Sequence, residues 1–399
     1  MVNDLSLSII IVNYNVKHYL WQCLDAVRRA SEGLDVEVWV VDNASKDGSL
    51  EYVRRDFPNI HVIENTENVG FACANNMAIR LSRGDLVLLL NPDTIIAEDT
   101  LRGCLTFFAS HPKAGVLGIR MLNRDGSFAR ESRRGLPTPT TAFFKVSGLC
   151  KLYPTHPRFG RYYMGHLPED KEGQIEVISG AFMMLRRDAV EQVGLLDEDY
   201  FMYGEDIDLS YCIGQAGWEC WYSPQLMMHY KGESTHDTSF RYIHSFYNAM
   251  LIFFRKHFAR RYWFSWLVIE IAVVVMGVAA FIRNHLRDGI NTLKNRLFPS
   301  QSIPERLYFI GTDKGWAELQ TLLNNHPEFT GKRVSCIEEA DKNAEYLTFE
   351  VTPDGQPYYE MLTLLSQAHR QGMKAHLGTF NRKTQTLILP NDIVTSAGA

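Results

Sequence analysis

The sequence predicts an α/β fold built on a mostly parallel central sheet, and three observations carry that prediction. Short apolar runs alternate with segments of helical periodicity up to Leu90. Each run ends in polar residues rich in Asn and Asp, and in such a sheet these turns converge on one edge. The run Leu86–Leu90 is apolar at all five positions and enters Asn91-Pro92-Asp93. That is the pattern of a strand buried on both faces and stopped by a residue without an amide hydrogen.

Taken in order, Leu7–Val12 is the first strand and ends in Asn13-Tyr14-Asn15. Leu20, Cys23, Leu24 and Val27 give Tyr19–Ala30 helical spacing. Val36–Val41 is the second strand, followed by Asp42-Asn43 and a turn through Ser49; Tyr52 and Val53 belong to the next helix. Ile60–Glu64 is the third strand, and Asn68-Val69-Gly70-Phe71 opens a helix that runs from Ala72 to Leu81. Leu86–Leu90 is the fourth strand. From Gly115 to Gly173 the pattern loosens around Arg120, Arg124, Arg130, Arg133 and Arg134. Ile175–Leu185 reads as a further strand with Gly180 inside it, and a glycine there suggests a close approach. Ile207, Tyr211 and Gly214 place Asp206 at a helix N-terminus, where Glu205 and Asp206 also suit ordinary capping.

At 399 residues the chain has room for two or three domains, and its 46% apolar content is that of a folded protein. A net charge of -5 argues against a nucleic-acid partner. Seven cysteines, with no C-x-x-C pair, fit reduced thiols better than a disulfide framework or structural zinc. The N-terminal apolar run is short and lacks a basic lead, so it reads as a strand rather than a signal peptide.

The turns place Asn13, Asp42, Asn43, Asn68, Gly70 and Asp93 toward a common crevice, with Asn15 beside the first of them. Gly70, lacking a Cβ, would let a ligand approach the backbone. No G-x-G-x-x-G or G-x-x-x-x-G-K-[ST] follows a strand, which argues against a dinucleotide fold and a P-loop NTPase. Arg133 and Arg134 offer guanidinium groups for a diphosphate.

The series IIIVNYN, VVDNASKDGS, ENVGFACANN and LLLNPDT, continued by Ser179-Gly180-Ala181-Phe182, Gly204-Glu205-Asp206 and His229, resembles the family 2 glycosyltransferases, nearest their rhamnosyltransferase-like subgroup. The resemblance covers roughly the first 250 residues. It implies a GT-A fold, Rossmann-like with a mostly parallel sheet, and a nucleotide-diphosphate sugar donor. Asp93 matches the last position of the family's D-x-D metal motif, whose first position here is Asn91. It further implies a divalent metal, Mn²⁺ or Mg²⁺, held by Asp93 and His229, with nitrogen ligation suiting Mn²⁺ better than Ca²⁺. Asp206 is implied as the base of an inverting transfer, with Glu205 as its neighbour and Gly180-Ala181 on the acceptor side.

The remainder reads as a basic and apolar helical segment, 251–299, and a small α/β module, 303–399. Within the former, Tyr262–Ile282 is about 21 residues, enough for roughly 30 Å of helix. Trp263 and Trp266 suit an interface, while Glu270 and basic residues at both ends argue against a simple span. A membrane surface is the favoured partner, against a buried helix or dimer interface. The expected location is the cytoplasmic side of the inner (plasma) membrane, peripheral or monotopic, with a single pass as the alternative. In the module, strands are expected at Leu307–Ile310, Arg333–Ile337, Tyr346–Val351, Lys374–Leu377 and Thr386–Leu389, and helices at Trp316–Asn324 and Tyr358–Gln371.

The expected activity is transfer of a sugar from dTDP-L-rhamnose or a UDP-sugar to a hydroxyl of a lipid-linked glycan or polysaccharide. A sugar nucleotidyltransferase would carry a Gly-rich basic loop where Asn13-Tyr14-Asn15 stands. A non-catalytic nucleotide-sugar-binding assembly protein would have lost Asp93, Asp206 or His229, and all three are present.

Overall fold

The computed structural model describes residues 5–231, 240–258, 304–352, 356–390 and 392–396, without the side chains of 146 and 240–247. Strands β1 (Leu7–Asn13), β2 (Val36–Asp42), β3 (His61–Glu64) and β4 (Leu86–Leu90) are joined by helices α1 (Lys17–Ala30), α2 (Ser49–Asp56) and α3 (Phe71–Leu81). Beyond β4 come β5 (Thr94–Ile96), α4 (Thr100–Ser110), β6 (Ala114–Leu122), α5 (Pro139–Val146) and α6 (Leu149–Leu152). Next are β7 (Gly173–Gln174), β8 (Phe182–Arg186), α7 (Arg187–Val193), α8 (Glu205–Gln215), β9 (Glu219–His229) and α9 (Phe240–His257).

The strands lie in the order β3-β2-β1-β4-β8-β6-β9-β5, with β7 on β9. The first four are mutually parallel, and β8 runs antiparallel between β4 and β6. This is the GT-A arrangement that the resemblance implies.

The double burial expected of β4 is observed. Leu86, Leu88 and Leu90 join Ile9 and Ile11 in the core on one face, while Val87 and Leu89 join Ile10 and Val12 on the other. Each such side chain contributes about 1.5–3 kcal/mol by leaving water. Two segments differ from expectation. The strand within 175–185 begins only at Phe182; Val177 makes a single bridge to Arg134, and Gly180-Ala181 form a turn. The loosened stretch also contains β6, nine residues long and nearly all buried. No helix among the described residues is long and apolar enough to cross a membrane, and Tyr262–Ile282 lies outside them.

A second sheet holds β10 (Glu305–Ile310), β11 (Phe329–Arg333), β12 (Tyr346–Val351), β13 (His376–Asn381), β14 (Thr386–Ile388) and β15 (Ile393–Thr395). Its helices are α10 (Asp313–Leu323) and α11 (Tyr358–Arg370). The strand expected at 333–337 lies earlier, because β11 is an edge strand with four of five residues exposed and no apolar signature. Here Glu350 Oε2 accepts from the Thr312 N–H at 2.6 Å and its hydroxyl at 2.8 Å. A carboxylate of the module itself thus occupies the helix N-terminus where a phosphate would bind.

Met361, Leu362 and Leu365 of α11 enter the same core as α1 and β4. Buried Tyr358 donates its hydroxyl to Asp25 at 3.0 Å, and Arg29 meets the same carboxylate oxygen at 3.0 Å. Tyr358→Phe is expected to lower stability by roughly 1–3 kcal/mol, the range for a bond to a buried charge. Urea unfolding checks this, and an unchanged midpoint would mean that the contact does not hold the module in place.

Candidate active site

Four polar turns open on a cleft of about 490 Å³ at the carboxyl ends of the parallel strands. Asn91, Pro92 and Asp93 follow β4, where the proline ends the ladder. Short β5 then pairs antiparallel with β9 in a register that sets Thr94 opposite His229. The Tyr230 N–H donates to the Asp93 carbonyl at 3.0 Å and closes the pair. His229 is thereby held beside Asp93, its Nε2 at 3.1 Å from Asp93 Oδ1 and 3.4 Å from the Asn91 amide.

That separation suits shared metal ligation. Two ligands bound at right angles, each at about 2.1 Å, lie about 3 Å apart. The donor set of one carboxylate and one imidazole accommodates Mn²⁺ or Mg²⁺, with remaining positions for oxygen atoms.

On the opposite wall, Gly204 in a left-handed turn (φ 90°) starts α8 and delivers Glu205 and Asp206 into the cleft. A Cβ on Gly204 would lie 2.9 Å from the Tyr200 ring and 3.0 Å from Ala249 of α9, so the turn admits only glycine without displacement. Asp206 Oδ2 accepts from the Gly180 N–H at 3.1 Å and from the Arg134 guanidinium; Oδ1 accepts from the Ile207 N–H at 2.8 Å. Burial opposes the charge of Arg134, yet the Asp206 carboxylate raises its pKa overall. Glu205 differs from its neighbour. Burial first, and the Asp206 charge second, push its carboxyl well above the usual carboxylate range. Its Oε2 has no hydrogen-bond partner. Asp208, one turn further, faces away and binds Lys256 at 2.8 Å and His257 at 2.5 Å, which ties α8 to α9.

Of the residues expected at the donor, Asn43, Asn68, Asn91, Asp93 and Arg134 line the cleft, as do Gly180, Ala181, Glu205, Asp206 and His229. Five others do not line it. Asp42 is buried, and its oxygens accept from Asn13 at 2.7 Å and the Ser45 N–H at 2.9 Å, so it locks two turns together. Asn13 is buried beside it, and exposed Asn15 accepts from the Lys46 N–H at 2.7 Å. The close approach that Gly70 permits is by protein: a Cβ there would sit 2.6 Å from the Phe201 carbonyl. Arg133 is buried, donates to the Leu167 carbonyl and stacks on Phe128. Its pKa falls through burial, and it faces no anion of the cleft.

Sequence reasoning missed Tyr14, Glu131, Lys145, Tyr162, Tyr163, Tyr203 and Lys231, which also line the cleft. Most lie in the irregular stretch between β6 and β8, where no periodicity marks which side chains turn inward.

Residues 8–194 match the family model described as Glycosyl transferase family 2. Over 241 residues the chain is 30% identical to the N-acetylglucosaminyl-diphospho-decaprenol L-rhamnosyltransferase of Mycobacterium tuberculosis (strain CDC 1551 / Oshkosh), covering 57% of this chain and 77% of that protein. Over 215 residues it is 32% identical to the low-salt glycan biosynthesis hexosyltransferase Agl10 of Haloferax volcanii, covering 53% of this chain and 62% of that protein. A solved mannosyltransferase from Pyrobaculum calidifontis, in complex with GDP-Man and Mn²⁺, overlays with a TM-score of 0.45 at 17% identity, over 92% of this chain and 87% of that one. A likeness that loose bears on neither fold nor chemistry.

The raised Glu205 pKa has a sign that can be measured. Between the ordinary carboxylate pKa and the raised one, the folded chain binds more protons than the unfolded chain, so stability falls as pH rises. Glu205→Gln removes that slope. Its melting temperature relative to wild type is expected to climb from pH 5 to pH 8, as read by calorimetry. A constant difference would mean that Glu205 ionises normally.

Proposed function

The chain belongs to glycosyl transferase family 2, and we propose that it moves a sugar from a nucleotide diphosphate to a lipid-linked or polysaccharide hydroxyl with inversion. Glycosyltransferase activity is common to the relatives it matches, a rhamnosyltransferase and a hexosyltransferase. The decaprenol-diphosphate acceptor in the name of the first supports a lipid-linked acceptor here, and the L-rhamnosyl group in that name supports dTDP-L-rhamnose as the first donor to try, ahead of UDP-sugars.

One observation carries the reading: Asp93 and His229 on one wall, and Asp206 on the other, face a single cleft. In this reading Asn43, Asn68 and Tyr14 border the nucleotide, and Gly180-Ala181 border the acceptor. Asp93 Oδ1 and His229 Nε2 would hold the divalent cation. Bound there, it would offset the charge that develops on the departing diphosphate. Arg134 and the Gly180 N–H hold the Asp206 carboxylate in place, where it can accept the proton of the attacking hydroxyl. Burial raises the Glu205 pKa, which favours its neutral form beside the donor diphosphate.

Asp206→Asn preserves the shape of the cleft and removes the base. Transfer is expected to fall by about 10²–10⁴-fold. Nucleotide binding, followed by isothermal titration, is expected to persist. Transfer at the wild-type rate would assign the base elsewhere.

A further inference from the structure

The segment 139–163 is unlike the rest of the surface. Among the described residues, eight large apolar side chains are exposed, and three of them fall between 143 and 153: Phe143 at 63%, Leu152 at 72% and Tyr153 at 54%. They are not on a frayed loop. Thr138 caps α5 and Pro139 opens it. Buried Phe144 stacks edge-on against Phe159 at 5.0 Å. Phe143 touches Phe144 at 5.9 Å and Tyr153 touches Phe159 at 5.8 Å, so the exposed rings sit on one braced aromatic strip.

The segment's own charges have one sign, although Arg161 at its inner end pairs with Glu176. From Ser132 to Pro168 there is no Asp or Glu, although the whole chain carries -5. Lys151 and Arg158 are exposed beside the strip, and the Arg158 guanidinium lies 5.9 Å from the Phe144 ring. At its inner end the segment becomes part of the cleft, where Lys145 sits 3.8 Å over the Tyr162 ring and both line the cavity.

We propose that 139–163 is a membrane-docking hairpin that lies on an anionic bilayer. Phe143, Leu152 and Tyr153 dip into the headgroup–acyl boundary, while Lys151 and Arg158 contact lipid phosphates. Aliphatic, aromatic and cationic groups on one face are the chemistry of an interfacial segment, and the cationic groups beside the strip disfavour a cationic partner. The inference rests on the lipid-linked acceptor reading. A hairpin seated at the headgroups would set the cleft mouth, through Lys145 and Tyr162, at the depth of a membrane-bound diphosphate.

The test uses the full chain with vesicles of phosphatidylcholine alone or mixed with phosphatidylglycerol. Hydrogen exchange over 139–158 is expected to slow with the mixed vesicles and not with phosphatidylcholine. In Phe143→Ser/Leu152→Ser/Tyr153→Ser, that protection should disappear and the apparent vesicle affinity should fall roughly tenfold or more. Unchanged exchange over 139–158, whether or not the chain sediments with vesicles, overturns the proposal. So does protection already present without lipid, which would mark cover by another segment or a second copy. Neither readout involves sugar transfer, and failure here leaves the transferase reading standing. That reading is tested separately by nucleotide binding.

Discussion

The pairing of Thr94 with His229 is the constraint on which the site depends. A one-residue slip in an antiparallel pair would turn His229 to the opposite face and remove it from Asp93. The register is held from both sides. β4 ends at Leu90, two residues before Pro92, so the chain re-enters as β5 only after Asp93 has been presented. On its other edge β9 runs parallel to β6 over most of its length, with a shift between Ile119 and Arg120 near Pro224. A residue without an amide hydrogen is tolerated in a strand interior at such an irregularity. Beneath the pair, α1 packs on β5, and the Tyr230 hydroxyl donates to Gln22 at 3.0 Å.

The second wall is held differently. Asp206 is fixed by a long-range guanidinium and by two backbone amides, so its position depends on Arg134 and on the turn at Gly180. The Asn91 N–H donates to the Ala181 carbonyl at 3.1 Å, which ties the two walls together. Two adjacent carboxyl groups therefore sit in different environments: Asp206 is surrounded by donors, and Glu205 is buried with its Oε2 unpartnered, which pushes its pKa up. Environment separates their roles although local sequence treats them alike.

Much of the fold was legible because its central strands are buried on both faces. Val36 through Leu90 alternates strand, turn and helix with few ambiguities, and the ends of β4 and β12 match expectation to the residue. Segments shaped by tertiary contact were not legible. Edge strand β11 is polar, and the chain between Ile175 and Phe182 makes one bridge and a turn rather than a ladder. The cleft was readable where side chains follow strand ends, as with Asn91, Asp93 and Asn68. Other expected residues do not line it, because they contact the protein itself: Asp42 binds Asn13, Gly70 makes room for Phe201, and Arg133 stacks on Phe128. No spacing rule marks Arg134 as the partner of Asp206, because the two are 72 positions apart.

The central claim is that Asp93 and His229 hold a divalent cation against a donor diphosphate. It is tested most directly by the melting temperature with nucleoside diphosphates, dTDP and UDP first, with and without Mn²⁺ or Mg²⁺. Nucleotide and metal together should stabilise the chain by more than the sum of each alone, and Asp93→Asn should abolish that excess. If no nucleotide stabilises the protein with either metal, or if Asp93→Asn keeps the full excess, the account is contradicted.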